Sequence, residues 1–293
     1  MRCACIDIGS NTTRLLVADV AQGRLAPVVQ QRSFTRIGRA IAADGAIPRA
    51  LIEHIAEVVA TQREVASVAG AVHLRVVATA AIRRALNRDE LLAALCEQAG
   101  VEVTVVPGDH EARLAFAGAT RTLDSPPAGT IAVVDVGGMS TEIAVGTMAG
   151  GVTWARSYAI GSSALAAGCH EDPPSAGDMA TMRAAARGAF AVCADAHIPA
   201  ADHAIAVGGS AASLPTLVGP VLDRAALERA LGVLTSAPAE EIARMHDLAP
   251  ERTQLLPAGI LVLGAAAERL GRPLRIGRGG LREGVILELA AGA

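Results

Sequence analysis

The chain has 293 residues, 52% hydrophobic and 2% aromatic, enough for a large aliphatic core and for two domains. Its net charge of −3 gives no basic field for a polyanion, and no nucleic-acid partner is expected. All 26 basic residues are arginine, which excludes a Walker A loop, a Schiff-base lysine and a lysine general base. Any bound phosphate must therefore be held by backbone N–H groups, hydroxyls, a metal or arginine forks. Cys3, Cys5, Cys96, Cys169 and Cys193 form no CxxC pair and read as reduced thiols, which points to the cytoplasm. No signal-peptide pattern is read, and no apolar run is long enough to span a bilayer, so no membrane partner is expected.

In chain order, the first element is an apolar strand carrying Asp7 into Gly9-Ser10-Asn11-Thr12-Thr13, from which a second strand leaves through Leu15-Leu16-Val17. The tip of this hairpin is small and polar, and a concavity of N–H and hydroxyl donors binds anions. Asp7 inside a strand calls for a counter-charge, for which a metal ion is the obvious candidate. An ordinary polar turn capped by Asp7 is the other reading. Leu25 to Val29 reads as a third strand, Arg32 to Arg39 as a polar strand or loop, and 49–66 as an amphipathic helix. Leu74 to Thr79 reads as a buried strand running into a helix start at Ala80. Thr79 and Arg83 there read either as phosphate contacts or as a helix cap and a surface arginine.

A helix over 89–98 and a strand over 101–106 lead to Pro107-Gly108-Asp109-His110-Glu111, which starts another helix. Glu111 reads as a carboxylate stabilising the helix dipole or as a general base at a strand end. Asp124 to Gly129 is the linker candidate, placing domains at 1–124 and 125–293, with the last helix able to pack back on the first.

The second half repeats the plan of the first. Strand 131–136 carries Asp135 into Gly137-Gly138-Met139-Ser140-Thr141-Glu142, and strands over 143–146 and 152–158 follow. A helix opens near Ile160, a long one runs from about 178 to 195, and strand 204–207 ends in Gly208-Gly209-Ser210, a third turn with donors at a helix start. A helix from Leu256 through Leu270, a strand at 274–276 and a closing helix opened by Gly279-Gly280 complete the order. The histidines, His170 among them, show no metal-ligand spacing.

Asp7 to Arg14, Ala78 to Arg83, His110 to Arg113, Asp135 to Glu142, Gly208-Gly209-Ser210 and Gly279-Gly280-Leu281-Arg282-Glu283-Gly284 together resemble the exopolyphosphatase/guanosine pentaphosphate phosphohydrolase (Ppx/GppA) family in its short two-domain form. The resemblance implies an α/β fold of two ribonuclease-H-like (actin-like ATPase) domains, mixed sheets flanked by helices, with the active site in the interdomain cleft. It implies Mg²⁺ (Mn²⁺ as the alternative) between Asp7 and Asp135, supported by Glu142.

The same resemblance implies phosphate loops at Gly9, Ser10, Asn11, Thr12 and Arg14 and at Gly137, Gly138, Ser140 and Thr141. Further substrate contacts are implied at Thr79, Arg83, Gly208, Gly209, Ser210 and Arg282, with Glu111 activating the attacking water. The implied activity is release of terminal orthophosphate from inorganic polyphosphate. Hydrolysis of guanosine pentaphosphate (pppGpp) is the enzymatic alternative, and a non-catalytic sensor of pppGpp or ppGpp the alternative of another class. Family members are often homodimers. Two positions depart from the family pattern: Met139 stands where a third glycine is usual, and His110 where a glutamate usually precedes the catalytic one.

Overall fold

The computed structural model describes residues 1–169, 171–191 and 197–292; His170, Cys193 and the end of the helix expected over 178–195 lie outside the described residues. The chain divides into two compact units. One comprises Met1–Asp124 with the segment from Gly279 onward, and the other Ser125–Arg278. The second domain thus ends at Arg278, and the closing helix belongs to the first.

The first unit opens with β1 (Arg2–Ile8), β2 (Thr12–Ala21) and β3 (Arg24–Phe34). There follow α1 (Ile37–Asp44), α2 (Arg49–Val68), β4 (His73–Ala78), α3 (Ala80–Arg84), α4 (Arg88–Ala99), β5 (Val103–Val105) and α5 (Gly108–Arg121). Among the described residues these strands form a five-stranded sheet in the order β3-β2-β1-β4-β5. β1 pairs antiparallel with β2 and parallel with β4, so it is the central strand. Cys3, Ala4, Cys5 and Ile6 are accordingly buried in succession, on both faces, as a strand covered on two sides requires.

The second unit holds β6 (Ile131–Val136), β7 (Thr141–Thr147), β8 (Gly151–Tyr158), α6 (Ser162–Ala166), α7 (Ala176–Ala191), β9 (His203–Val207), α8 (Gly208–Ala212) and α9 (Pro215–Val218). It continues through β10 (Val221–Leu222), α10 (Arg224–Leu234), α11 (Ala239–Met245), α12 (Pro250–Thr253), α13 (Leu256–Leu270) and β11 (Leu274–Ile276). Its described strands order as β10-β11-β9-β6-β7-β8. Setting β6, β7, β8, β9 and β11 against β1, β2, β3, β4 and β5 gives one topology twice: an antiparallel three-strand meander, then parallel strands added beside its first strand.

The final helix, α14 (Leu281–Ala291), packs in the first unit against α5 and β1. The α5–α14 approach is backbone to backbone. A Cβ on Gly284 would lie 2.0 Å from the Leu114 carbonyl oxygen, and one on Gly118 1.9 Å from that of Gly280. The spaced glycines of 279–284 are therefore a packing requirement that fixes α14 beside the helix carrying Glu111.

One difference from the sequence expectation concerns the first unit. Arg32–Phe34 belong to β3, within the strand-or-loop reading of Arg32 to Arg39, but a helix not expected there, α1, begins at Ile37 and runs to Asp44. This helix starts from Arg36 in the left-handed region (φ 50°) with no side-chain cap, so it lacks the start signals by which a helix is read from sequence. Its Ile37 is fully buried.

Candidate active site

Both Asp-bearing strands end in the same turn. Asp7 and Asp135 are the penultimate residues of β1 and β6. Gly9 N–H donates to Thr12 O at 3.1 Å in one, and Gly137 N–H to Ser140 O at 3.0 Å in the other. Each turn is braced from outside through its carbonyls. Asn11 O accepts from Thr35 and Arg36 N–H, and Ser10 O from Gly38 N–H at 2.6 Å, at the entry of α1. Gly137 O accepts from Ser162 N–H and Gly138 O from Ala164 N–H, both at 2.9 Å, at the entry of α6. Carbonyls held this way turn their negative ends toward the bracing helix, which suits a turn that meets an anion with its amides.

The residues facing the two aspartates differ. In the sheet register Asp7 lies opposite Arg14, and Asp135 opposite Glu142. Burial pushes the Asp7 carboxyl up to about 6, opposed by the nearby Arg282 and Arg14 guanidiniums. Asp7 Oδ1 is buried with no hydrogen-bond partner among the described residues, and so is the Asn11 side-chain nitrogen in the same turn. An orphaned acceptor and an orphaned donor four residues apart suit a cation beside the one and an anion beside the other. Among the described residues no three His, Cys, Asp or Glu side chains gather into a metal cage. Mg²⁺ commonly binds through one or two carboxylates and completes its shell with water and phosphate oxygens, so the residues present fit it.

Glu111 sits in the first turn of α5, is buried, and accepts a 2.6 Å charge-assisted bond from Arg83. The same Arg83 nitrogen donates to Val106 O at 2.7 Å, so one guanidinium ties the carboxylate to the end of the strand segment before α5. Thr79, buried at the end of β4, takes its place beside β1 through its N–H to Ile8 O. Arg282 leaves the first turn of α14, donates to Leu15 O at 3.4 Å and lies near Asp7. The first unit thus brings Asp7, Arg14 and Arg282 together at one strand end. His110 has its Nε2 3.4 Å from Glu288 on α14, a pair distinct from the Glu111–Arg83 one.

In the second unit the Gly208 turn closes on Asp135. Gly208 has φ +87°, and a Cβ there would stand 2.3 Å from Asp135 Oδ1, so glycine is required twice over. Several residues expected as ligands are buried. Thr141 is fully buried and its hydroxyl donates to Ile160 O at 2.7 Å; Glu142 is buried and accepts from Ser157 Oγ at 2.7 Å. Ser210 is buried beneath α13, its Oγ 2.4 Å from where a Gly259 Cβ would lie. Met139 is buried as well.

One residue escaped the sequence reading. Arg252 of α12 lies over Gly209, whose Cβ would fall 1.9 Å from the arginine Nη1. A guanidinium at a strand end beside a glycine turn has fork donors of the kind an anion takes. No element and no motif was legible in the sequence over α12.

Two sheets of one topology, each delivering an aspartate into a braced turn, define the ribonuclease-H-like, actin-like class of α/β folds. The chain belongs to the Ppx/GppA phosphatase family, whose model matches residues 16–292. It is 35% identical to Exopolyphosphatase 2 of Mycobacterium tuberculosis over 192 residues, 62% of this chain and 59% of that protein. It is 28% identical to Exopolyphosphatase 1 of Mycobacterium leprae over 305 residues, 98% of this chain and 89% of that protein. The first of these matches therefore spans about three-fifths of its relative's length. The crystal structure of the Aquifex aeolicus Ppx/GppA family member is similar with a TM-score of 0.83 at 25% identity, covering all of this chain and 98% of that one. Among the described residues no helix is long and apolar enough to cross a membrane.

Proposed function

We propose that this protein is a Mg²⁺-assisted exopolyphosphatase that releases terminal orthophosphate from inorganic polyphosphate in the cytoplasm. The observation that carries the reading is the buried Glu111 carboxylate, oriented by Arg83 at 2.6 Å, in the unit that also holds the orphaned Asp7 oxygen. A pure binding protein has no need of a positioned carboxylate base. The relatives named exopolyphosphatase support the same substrate class.

In this reading the amides of the Gly9 and Gly137 turns receive the equatorial oxygens of the phosphoryl group, whose charge develops as the anhydride breaks. Asp7 and Asp135 would hold Mg²⁺, which offsets negative charge on the phosphates and eases departure of the leaving chain. Glu111 accepts a proton from the attacking water at its carboxylate and aligns the oxygen with the bond that breaks. Arg83 holds the carboxylate in place, and Arg282 adds positive charge beside Asp7. Arg252 and the Gly209 turn grip the anionic chain.

The test is Mg²⁺-dependent orthophosphate release from long-chain polyphosphate, run beside pppGpp. Release from polyphosphate with the higher kcat/KM supports the reading. Release from the nucleotide alone moves it to alarmone hydrolysis, and tight ppGpp binding with no release from either substrate makes the protein a sensor.

A further inference from the structure

Away from both turns, the second unit contains a half-open cavity of about 350 Å³ among α7, α10 and α13. That lies within the range of small-molecule pockets, roughly 300–1,000 Å³. Its floor is apolar: Leu222, Leu227, Leu231, Ile260 and Leu261 line it, with Gly264 of α13 leaving space where a side chain would stand. A Cβ on Gly264 would meet only Leu227 Cδ1, at an ordinary 3.6 Å, so the backbone does not demand glycine there.

The rim is charged and of a different character. Arg183 reaches Glu228 on α10 through two hydrogen bonds, and Arg187 reaches Glu268 on α13 likewise, so two ion pairs cross from α7 over the apolar floor. Both pairs are about half-exposed, and pairs open to solvent are typically worth only ~0–1 kcal/mol, so they leave the mouth easy to part. Two further arginines, Arg224 and Arg272, line the cavity; their guanidiniums make no hydrogen bond or ion pair among the described residues, and Arg224 lies near enough to Glu268 to add to Arg187 in lowering its carboxyl. With Asp223 spent as the cap of α10, accepting from Ala226 N–H, the mouth carries an excess of guanidinium over carboxylate.

We propose that this cavity is a binding site for a small amphipathic anion, an apolar body bearing one carboxylate or phosphate head. The floor takes the apolar body out of water, and Arg224 and Arg272 supply fork donors to the head. A polyphosphate chain does not suit this site. It has no apolar part to bury, and the floor offers no nest of amides. The site is therefore separate in chemistry from the Gly9, Gly137 and Gly208 turns.

Decanoate and decyl phosphate serve as probes, with uncharged decanol as control, each read by displacement of the anionic fluorophore 8-anilinonaphthalene-1-sulfonate from the full chain. Saturable one-to-one displacement is expected, with the two anions binding more tightly than decanol. The relative affinity of the two anions identifies the preferred head group. Gly264→Leu fills the floor and is expected to weaken decanoate at least tenfold, while Gly264→Ala leaves binding within about twofold. The double variant Arg224→Gln/Arg272→Gln changes only exposed side chains. It is expected to weaken the anions about threefold to tenfold and leave decanol unchanged. Equal affinity for decanol and decanoate, displacement indifferent to both variants, or no saturable displacement overturns the proposal.

Discussion

The two Asp-x-Gly hairpins are built alike and equipped differently. Both close with a glycine N–H bonded to the carbonyl three residues on, and both have their outer carbonyls tied by the entry of a helix, α1 for the first and α6 for the second. Yet Asp7 faces Arg14 where Asp135 faces Glu142. The carboxylate proposed as the base, Glu111 on Arg83, lies in the first unit, and the Gly208 closure and Arg252 lie in the second. The duplicated part is backbone, which can be specified by a few small residues. The divergent part is side-chain charge, which decides chemistry. In the proposed function the first unit therefore supplies the proton chemistry and the second the grip on the anion.

This division can be broken experimentally at several points. Glu111→Gln keeps the shape of the side chain and removes the base, so turnover should fall roughly 10²–10⁴-fold with KM little changed. A fall under threefold in steady-state phosphate release would remove Glu111 from the chemistry.

Gly208→Val puts a branched side chain at φ +87° and against Asp135 Oδ1. Strain and overpacking together should cost about 2–4 kcal/mol, read as a lowered midpoint in urea unfolding. An unchanged midpoint would mean that the turn relaxes freely.

Asp7→Asn separates function from stability. With its carboxyl raised to about 6 from the ordinary 3.8, the folded chain holds a proton that the unfolded chain releases. Metal-free stability should therefore fall as pH rises from about 4 to about 6, and the loss, on the order of 2–3 kcal/mol, persists above that. The asparagine variant should flatten that pH dependence and be more stable than the parent at pH 7, while losing Mg²⁺-dependent turnover. A parent whose stability is level across this window contradicts the assignment.

The smallest effect is expected at His110, whose ring pairs with Glu288 in a half-exposed contact. His110→Gln should change turnover less than about threefold. A larger loss would tie the departure from the family pattern to the neighbouring base.

The legible parts of this molecule were those in which one residue type carries a backbone necessity. The Asp-x-Gly turns, the apolar strands around them and the glutamate at the start of a helix after a strand all could be read from short local patterns. Residues 37–44 could not, because α1 begins on a left-handed arginine with no cap, yet it is the element that holds the Ser10 and Asn11 carbonyls. Local sequence also does not say which way a turn hydroxyl faces. Thr141 and Ser210 both lie buried, Thr141 donating to Ile160 O and Ser210 under α13. Arg252 stood in a stretch with no motif, and only the fold brings it over Gly209, some forty residues earlier in the chain.

The most direct test of the division between the units is a paired measurement of polyphosphate affinity and single-turnover phosphate release for Glu111→Gln and Arg252→Gln. The account predicts that Glu111→Gln binds the polymer as the parent does and scarcely releases phosphate. It predicts that Arg252→Gln binds roughly tenfold or more weakly and, once saturated, releases phosphate within a few-fold of the parent. Loss of affinity in the glutamate variant with full affinity and lost chemistry in the arginine variant would contradict it.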